Sequence, residues 1–366
     1  MGIRQTTETM NAPAPLSGTE RTLLTAALIL FLIIAVKMIS YIINIFVISL
    51  MLTLLAVPAT RWLRKKNVPN TVAAVIVVLI GCLFGAALIL LTLYSFNTLV
   101  ADIPLYQTDL NQRLAGAATF FSGLGFSFNE NTLSSIDLSS IIQLVLSSLM
   151  SAGDAIFYLF FIIVTTFFMI IEAPRVADQV AALFPREPEK LALLSRMSGF
   201  VVDFIVVRTE TNVVHGALFG GALYAMGIHA AVLWGLLTFF LCYIPYFGLI
   251  IAAIPAIFFA FLQYGVWGAV GVIAIVCVLN LIVENPVISF FAARRYEIPA
   301  IIVILSVIFW GWLLGLAGML FAVPITIVVL IFVQFSDELR WINDLLGVSH
   351  LFEETNPIPG NLHNDD

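Results

Sequence analysis

Charged side chains are scarce in this sequence of 366 residues. It has 16 basic and 22 acidic residues, so that 10% of the chain is charged while 61% is apolar. A soluble globular domain has roughly 25% charged and 45–50% apolar residues. The shortage excludes a soluble enzyme and a disordered chain, and the net charge of −6 excludes a nucleic-acid binder with a basic face. The chain must therefore have lipid as part of its solvent.

Residue types and motifs that carry enzyme chemistry are also lacking. The three cysteines, Cys82, Cys242 and Cys277, lie within apolar runs, which is typical of small packed residues rather than of disulfides or ligands. The four histidines do not cluster with cysteines at metal-ligand spacing. The zinc-protease motif His-Glu-x-x-His, the Gly-x-Ser-x-Gly elbow and the nucleotide-binding Gly-x-x-x-x-Gly-Lys-Ser/Thr are absent. We predict no enzyme activity, no catalytic residue, no metal and no cofactor.

The few charges leave long apolar blocks between them. A membrane helix needs about 20 mainly apolar residues, so these blocks accommodate about eight crossings of a bilayer. We predict an all-α polytopic membrane protein in which the last two blocks, rich in Gly and Pro, are not uniform rods. The blocks hold at most one charge each and span residues 22–60, 67–101, 138–171, 211–283 and 298–336.

Basic residues set the predicted orientation. The loop after the first block reads RWLRKK at residues 61–66, which favours the cytoplasmic side. One crossing then leads to an acidic external helical segment, 101–150, and the next returns the chain to a cytoplasmic and interfacial segment, 174–207. We predict a membrane domain over residues 22–345. Cytoplasmic tails at residues 1–21 and 346–366 flank it.

Two of the apolar runs contain helix breakers. The run from Trp234 to Ile257 contains Pro245, Gly248 and Pro255, and the run from Phe309 to Ile327 contains Gly315, Gly318 and Pro324. Both have Trp-Gly, then a break, then Ala-hydrophobe-Pro restarting a helix. In lipid, an interrupted backbone survives only against protein or a water-filled cavity, and paired interrupted segments indicate a transporter's binding site. The alternative is that Gly and Pro are simply common in membrane helices.

Polar residues within these blocks are few. Asn280 and Glu284 are four residues apart and share a helix face if the helix continues that far, with Asn285 next. A carboxylate inside the membrane is expensive and indicates a functional role. The alternative is that Glu284 lies at the interface and pairs with Arg294 or Arg295. His215 has two interpretations as well, a group that titrates near neutrality or, by preference, a hydrogen-bonded helix contact.

Three motifs resemble those of the autoinducer-2 exporter family of bacterial inner-membrane proteins. They are LWGLLTFFLCYIPYFG at residues 233–248, IVENP at residues 282–286, and ILSVIFWGWLLGLAGMLFAVPITIVV at residues 304–329. The last is the most specific, because its WGWLLGLAGMLFAVP stretch combines ordered glycines with a terminal proline. The resemblance extends over most of residues 20–345.

The resemblance implies a homo-oligomeric transporter, with a pentamer as the expected assembly, built from inverted repeats and helical hairpins. Family members are similar to exporters of the quorum-sensing signal autoinducer-2, a small polar solute, and some are described as sodium/proton antiporters. It also implies that the positions matching the family's motifs form the site: Ile244, Pro245, Tyr246, Gly248, Glu284, Asn285, Gly315, Gly318 and Pro324.

Our leading hypothesis is a secondary transporter that exports a small polar solute. Backbone groups at the two breaks would contact the solute, Tyr243 and Tyr246 would supply hydroxyls, Asn280 and Asn285 amides, and Glu284 would couple transport to a proton or sodium ion. The first alternative is a sodium/proton antiporter. The second is a membrane scaffold that binds partners through 101–150 and 174–207, in which case Pro245→Leu would leave function intact.

Overall fold

The described part of the chain is entirely helical apart from its turns. The computed structural model describes residues 17–101, 107, 110–112, 152–284, 286, 298–336 and 338–351, and these contain no strand. The prediction of an all-α polytopic membrane protein is confirmed. The predicted external segment 101–150 falls almost wholly outside the described residues.

Four long apolar helices form the first half of the described chain. Each is long and apolar enough to cross a membrane. Capping by Ser17, whose hydroxyl accepts from the Glu20 N–H while the Glu20 carboxylate accepts from the Ser17 N–H, starts the first helix. The four helices are α1 (Gly18–Met38), α2 (Ser40–Lys65), α3 (Asn70–Ala101) and α4 (Ala152–Leu183).

The fifth helix, α5 (Pro188–Ala225), is the spine of the molecule. Its 38 residues give it a length of about 57 Å, well beyond the roughly 30 Å of a bilayer's hydrocarbon core. Pro188 stands at its first turn, where a missing N–H costs nothing. All of its Asp, Glu, Lys and Arg residues lie before residue 211, within or just after the segment 174–207 whose cytoplasmic and interfacial placement stays a prediction.

Shorter apolar helices follow α5. The run from Val266 to Glu284 also reaches membrane-spanning length, because the α-helix there continues as a π-helical turn over Asn280–Glu284. With five long apolar helices and four shorter ones, the described chain agrees with about eight crossings. The helices are α6 (Ala231–Leu241), α7 (Gly248–Tyr264), α8 (Val266–Leu279), α9 (Ala300–Leu314), α10 (Leu316–Leu320), α11 (Ala322–Phe335) and α12 (Trp341–Leu345).

The spine helix joins two apolar cores. Its Phe200 and Ile205 lie in the first core with residues of α2, α9 and α11. Its Phe219 and Leu223 lie in the second core with residues of α6, α7 and α8. The buried polar residues of α5 fall between these two sets. The boundary between the two cores therefore contains a set of buried polar side chains on α5, which we call the polar belt: Arg208, Thr211, Asn212 and His215.

Small residues allow a close helix contact between α5 and α6. A Cβ at Gly216 would lie 2.6 Å from the Gly235 carbonyl oxygen, and one at Gly235 would lie 2.7 Å from the Gly216 carbonyl oxygen. Gly220, four residues after Gly216, also contacts Gly235. This is the small-residue packing by which membrane helices bring their backbones together.

Two corners of the chain share one construction. Gly265 and Gly315 both have φ near +70° (69° and 68°), a left-handed conformation that favours glycine. Three residues later, Gly268 and Gly318 lie against the carbonyl oxygens of Ala260 and Trp310, each eight residues back, so closely that a Cβ would overlap them. The corners fold α8 against α7 and α10 against α9.

The two glycine corners match each other, whereas Pro255 and Pro324, which the sequence pattern pairs, do not. Pro255 does not interrupt its helix but lies inside α7, which runs continuously through it. Pro324 is the third residue of α11, where a missing N–H has no helical acceptor to lose. The interruption expected at Pro255 is therefore wrong. The matching elements are the glycine corners.

The end of the described chain folds back onto the first core. Val348 and Leu351 are fully buried there, although they lie just beyond the predicted end of the membrane domain at residue 345. The buried Asn343 amide donates to the Leu330 carbonyl at 3.3 Å and to Gln334 Oε1 at 2.8 Å. Arg196 of α5 donates to the Leu351 carbonyl. The domain boundary itself stays a prediction.

Candidate functional site

The two breaks in the charge-free blocks meet in space. The first is the turn at residues 242–247 between α6 and α7, and the second is the stretch 315–321 around α10. Ile244 of the first break packs with Val307 and with Ala322, which begins α11. The ring of Tyr243 lies edge-on to that of Phe321, with 6.2 Å between the centroids. Both breaks are predicted to form the site, and the structure brings them together.

A partly buried ion pair lies beside the first break. Arg208 Nη1 of α5 and Glu284 Oε1 of the π-helical turn are 2.7 Å apart. The Arg208 side chain is 7% exposed and the Glu284 side chain 25%. Charge-assisted hydrogen bonds of this length are the strong ones in proteins, and a charge removed from water requires such a partner.

The arginine also holds the turn. Arg208 Nε donates to the Cys242 carbonyl oxygen at 3.0 Å, and that carbonyl is one of those left without a helical partner at the end of α6. One turn along α5, the fully buried Asn212 amide, when oriented so that both its oxygen and its nitrogen have partners, donates to the Arg208 carbonyl at 3.2 Å. Its side-chain oxygen accepts from the Tyr243 N–H at 3.1 Å. Two side chains of α5 thus bind the backbone of the first break.

A hydroxyl pair extends the polar belt. Thr209 Oγ1 and Tyr243 Oη lie 2.6 Å apart, and Thr209 also donates to the Ile205 carbonyl at 2.6 Å. The Tyr243 hydroxyl therefore donates to Thr209. The aromatic face of Tyr243 is packed by Phe239 and Phe321. The belt combines a carboxylate, a guanidinium, an amide and two hydroxyls.

His215 lies two turns beyond Arg208 on the same helix. It is 2% exposed, and neither ring nitrogen has a hydrogen-bond partner within the described residues. The preferred interpretation from the sequence, a hydrogen-bonded helix contact, is therefore wrong on this point. Its neighbour Gly216 lets α6 approach closely.

The other predicted residues divide into two groups. Pro245 and Tyr246 form the turn, with Tyr246 exposed and in the left-handed region at φ 64°. Gly248 is required by close approach, because a Cβ there would overlap the Leu241 carbonyl. Gly315, Gly318 and Pro324 shape the second break, as described above. These residues position the backbone, and their contact with a solute stays a prediction.

The polar residues around the IVENP motif, at residues 282–286, are only partly described. Glu284 faces Arg208, whereas the Asn280 side chain is exposed. Asn285 lies outside the described residues, as do Arg294 and Arg295, the partners considered for Glu284. The described partner of Glu284 is Arg208, on another helix.

Sequence reasoning misses Arg208, Thr209 and Asn212. From the sequence alone, Arg208 is one more basic residue at the cytoplasmic end of an apolar block, after others such as Arg196. The sequence feature that distinguishes Arg208 is its position, because it is the last basic residue before the charge-free block 211–283. Asn212 follows at i+4, on the same helix face.

Comparison with known proteins shows the family. A family model described as AI-2E family transporter matches residues 25–337. The chain belongs to this family. It is 29% identical over 288 residues to the AI-2 transport protein TqsA of Escherichia coli strain K12, a match that covers 78% of this chain and 83% of that protein.

Other relatives are named only as putative transport proteins. One from Haemophilus influenzae is 29% identical over 336 residues, covering 90% of this chain and 96% of the relative. YrrI of Bacillus subtilis is 24% identical over 305 residues, covering 77% and 83%. The apolar helices and these bacterial relatives make the chain a multi-pass transporter of the bacterial inner membrane.

Proposed function

We propose that this transporter exports a small polar solute and that autoinducer-2 is its substrate. The observation that carries the proposal is the polar belt of α5, enclosed between two apolar cores and against two helix breaks. The similarity to the AI-2 transport protein TqsA supports the choice of solute. Broken helices that meet at a buried polar site are typical of secondary transporters.

The groups of the belt suit a neutral, oxygen-rich solute. Arg208 has five N–H donors, of which two are engaged by Cys242 and Glu284. Its other donors can bind solute oxygens, while the Glu284 carboxylate can accept from solute hydroxyls. Because the positive and negative charges of the pair cancel, the site needs no opposite charge on the solute and suits a neutral one. The Tyr243 hydroxyl, held by Thr209, lies in the same belt.

We further propose that Glu284 couples export to a proton or sodium ion. The charge of Glu284 is the only negative side-chain charge between residues 211 and 336 within the described residues. Ionisable residues inside membrane segments typically mark ion or proton pathways. As working proposals, both termini lie in the cytoplasm and the transporter assembles as a homo-oligomer, with a pentamer expected.

The test is flux in liposomes containing the purified full chain. Wild type should move autoinducer-2 in response to an imposed pH or sodium gradient, and Glu284→Gln should abolish this response while the protein stays folded by size-exclusion chromatography. Glu210→Gln, which neutralises an exposed carboxylate on α5, is the matched control and should transport normally. Gradient-driven flux that persists in Glu284→Gln removes Glu284 from the mechanism. Absence of flux in wild type refutes the choice of solute.

Sodium/proton antiport is the second candidate, and the Arg208–Glu284 pair favours it, because an ionised carboxylate is the minimum that cation exchange needs. Recording the internal pH in the same liposomes separates the two. Sodium-driven pH change without autoinducer-2 supports antiport, whereas pH change that requires the solute supports coupled export.

A further inference from the structure

Arg208 joins three separate pieces of the protein. Its backbone belongs to α5, its Nε binds the Cys242 carbonyl of the first break, and its Nη1 binds Glu284 in the π-helical turn. The latter two pieces lie 34 and 76 residues away along the chain. One planar guanidinium thus connects the end of α6 to the end of α8. Lysine lacks the fork that makes such a bridge.

Both bridged pieces depart from regular α-helical backbone geometry. The first break contains Tyr246 in a left-handed conformation, which costs a non-glycine residue about 1–2 kcal/mol. The Asn280–Glu284 turn has π-helical hydrogen bonds, which are rare and frequent at functional sites. Such elements can adopt alternative conformations that differ little in free energy, so that one charged contact can decide which conformation is populated.

Releasing the arginine requires another cation. A buried charge left without its partner is strongly unfavourable, so Arg208 and Glu284 separate only when something else compensates Glu284. A proton or a sodium ion does this, because either removes the net negative charge of the carboxylate. The freed guanidinium then also loses the geometry that directs Nε at Cys242.

We propose that Arg208 is an exchangeable lock: it holds the first break to the π-helical turn until a proton or sodium ion takes its place on Glu284. The cation binds as Arg208 leaves, so the charge at Glu284 stays compensated, while the freed guanidinium moves out to water as the first break opens. This inference rests on the proposed function, and it names the residue through which the coupling ion acts. Arg208 is in this respect a positioning residue.

Three other titratable groups face the pair. His215 lies on α5, while Cys242 and Tyr243 lie in the first break; all three interact electrostatically with Arg208, and His215 and Cys242 also with Glu284. Tyr243 is bound to Thr209. In the proposed lock, the cation acts at Glu284 and not at His215, Cys242 or Tyr243.

Cys242 offers a direct readout of the lock. Its side chain is 4% exposed, and its own carbonyl is the group that Arg208 holds. In a chain with Cys82→Ser and Cys277→Ser, Cys242 is the sole thiol, and its rate of labelling by N-ethylmaleimide reports opening of the first break. Closed wild type should label slowly, and Arg208→Gln should label at least about tenfold faster, as expected for loss of hydrogen bonds to a charged group.

The variants separate the lock from simple misfolding. Arg208→Gln/Glu284→Gln carries no unpaired buried charge, so it should fold, and it should label as fast as the single variants. Arg208→Lys keeps the charge without the fork and should label at an intermediate rate. Glu210→Gln, on the exposed face of α5, should label like wild type. Slow labelling in the folded double variant overturns the proposal.

Labelling under different cations identifies the ion. Sodium chloride replacing choline chloride at constant pH should accelerate Cys242 labelling if sodium is the ion. Acidification should accelerate Cys242 labelling if the ion is the proton. Each rate is divided by the labelling rate of Cys277 in a Cys82→Ser/Cys242→Ser chain, which corrects for the effect of the solution on thiol reactivity. Neither response should survive in Glu284→Gln, and both should be unchanged in His215→Asn. A response lost in His215→Asn, or absent under both cations, overturns the proposal.

These measurements need no substrate. Fast labelling in the Arg208 variants and a cation response in wild type support the lock even where autoinducer-2 flux is absent, in which case the solute assignment alone fails. Conversely, autoinducer-2 flux with a labelling rate insensitive to cations and to Arg208 preserves the transporter and refutes the lock.

Discussion

The two helix breaks are held in different ways. The first, at residues 242–247, has its Cys242 carbonyl bound by an ionised arginine and its Tyr243 N–H bound by a buried amide. Its turn contains a tyrosine in the left-handed region. Its strongest external contact is electrostatic, so it depends on the charge of a residue on another helix.

The second break, at residues 315–321, is held by shape. Gly315 supplies the left-handed backbone, and Gly318 lies against the Trp310 carbonyl with no room for a side chain. Its polar anchors are neutral: Asn44 of α2 donates to the Leu314 carbonyl at 3.0 Å, and Trp310 Nε1 donates to Thr326 at 2.8 Å. No change of ionisation in these anchors can release it.

Under the proposed lock, the two breaks would have different roles in a transport cycle. A charge-held element responds to a coupling ion, whereas an element held by shape provides the fixed surface against which the first one moves. Ile244 and Ala322 pack across the boundary between them. We therefore expect changes of charge to alter the conformation of the first break, and changes of volume to destabilise the second.

The largest effect should come from adding one methyl group at Gly318. Because its Cβ would overlap the Trp310 carbonyl oxygen, Gly318→Ala must move backbone, which we expect to cost roughly 3 kcal/mol or more. Gly315→Ala is the matched control: no atom lies within 4 Å of its Cβ, and only the left-handed backbone penalises it, by about 1–2 kcal/mol. Thermal unfolding in detergent measures both. Equal melting temperatures for the two variants would show that shape does not hold the second break.

Much of this architecture follows from the sequence because it depends on local chemistry. Pro245 has no N–H and the residues around it lie in a charge-free run, so a break is expected there and is found. Pro255 has the same chemistry and leaves α7 continuous. Its neighbours Ala252 and Ala256 are fully buried, so packing maintains the helix around one missing hydrogen bond.

The site was less predictable because its contacts are long-range. Glu284 stands out by itself as a carboxylate next to a long apolar run, but its partner is 76 residues away and resembles any other basic residue near a membrane helix. Nothing local distinguishes Arg208 from Arg196, which binds the Leu351 carbonyl at the other end of the first core. Only the packing of α5 between two cores reveals which arginine is buried.

A moderate effect should follow from removing the neutral anchor of the second break. Asn44→Ala leaves the Leu314 carbonyl without its side-chain donor, which we expect to cost about 1–3 kcal/mol. Because the anchor is neutral, the loss of stability should be the same at pH 6 and pH 8 and with or without sodium. Arg208→Gln, its counterpart at the first break, should instead change the cation dependence. A cation-dependent melting temperature shift in Asn44→Ala would contradict the distinction between the two breaks.

The smallest effect should come from the hydroxyl pair of the first break. Tyr243→Phe removes one hydroxyl of the 2.6 Å contact with Thr209 and keeps the ring against Phe321, so we expect a loss of about 0.5–1.5 kcal/mol. Thr209→Val and the double variant complete a cycle whose coupling energy isolates the contact. If the hydroxyls only stabilise the turn, all three variants should transport autoinducer-2 with an unchanged half-saturating concentration. If Tyr243 binds solute as proposed, Tyr243→Phe alone should raise that concentration severalfold. Thr209→Val, which leaves the phenol in place, then serves as the control that separates a solute contact from a loosened turn.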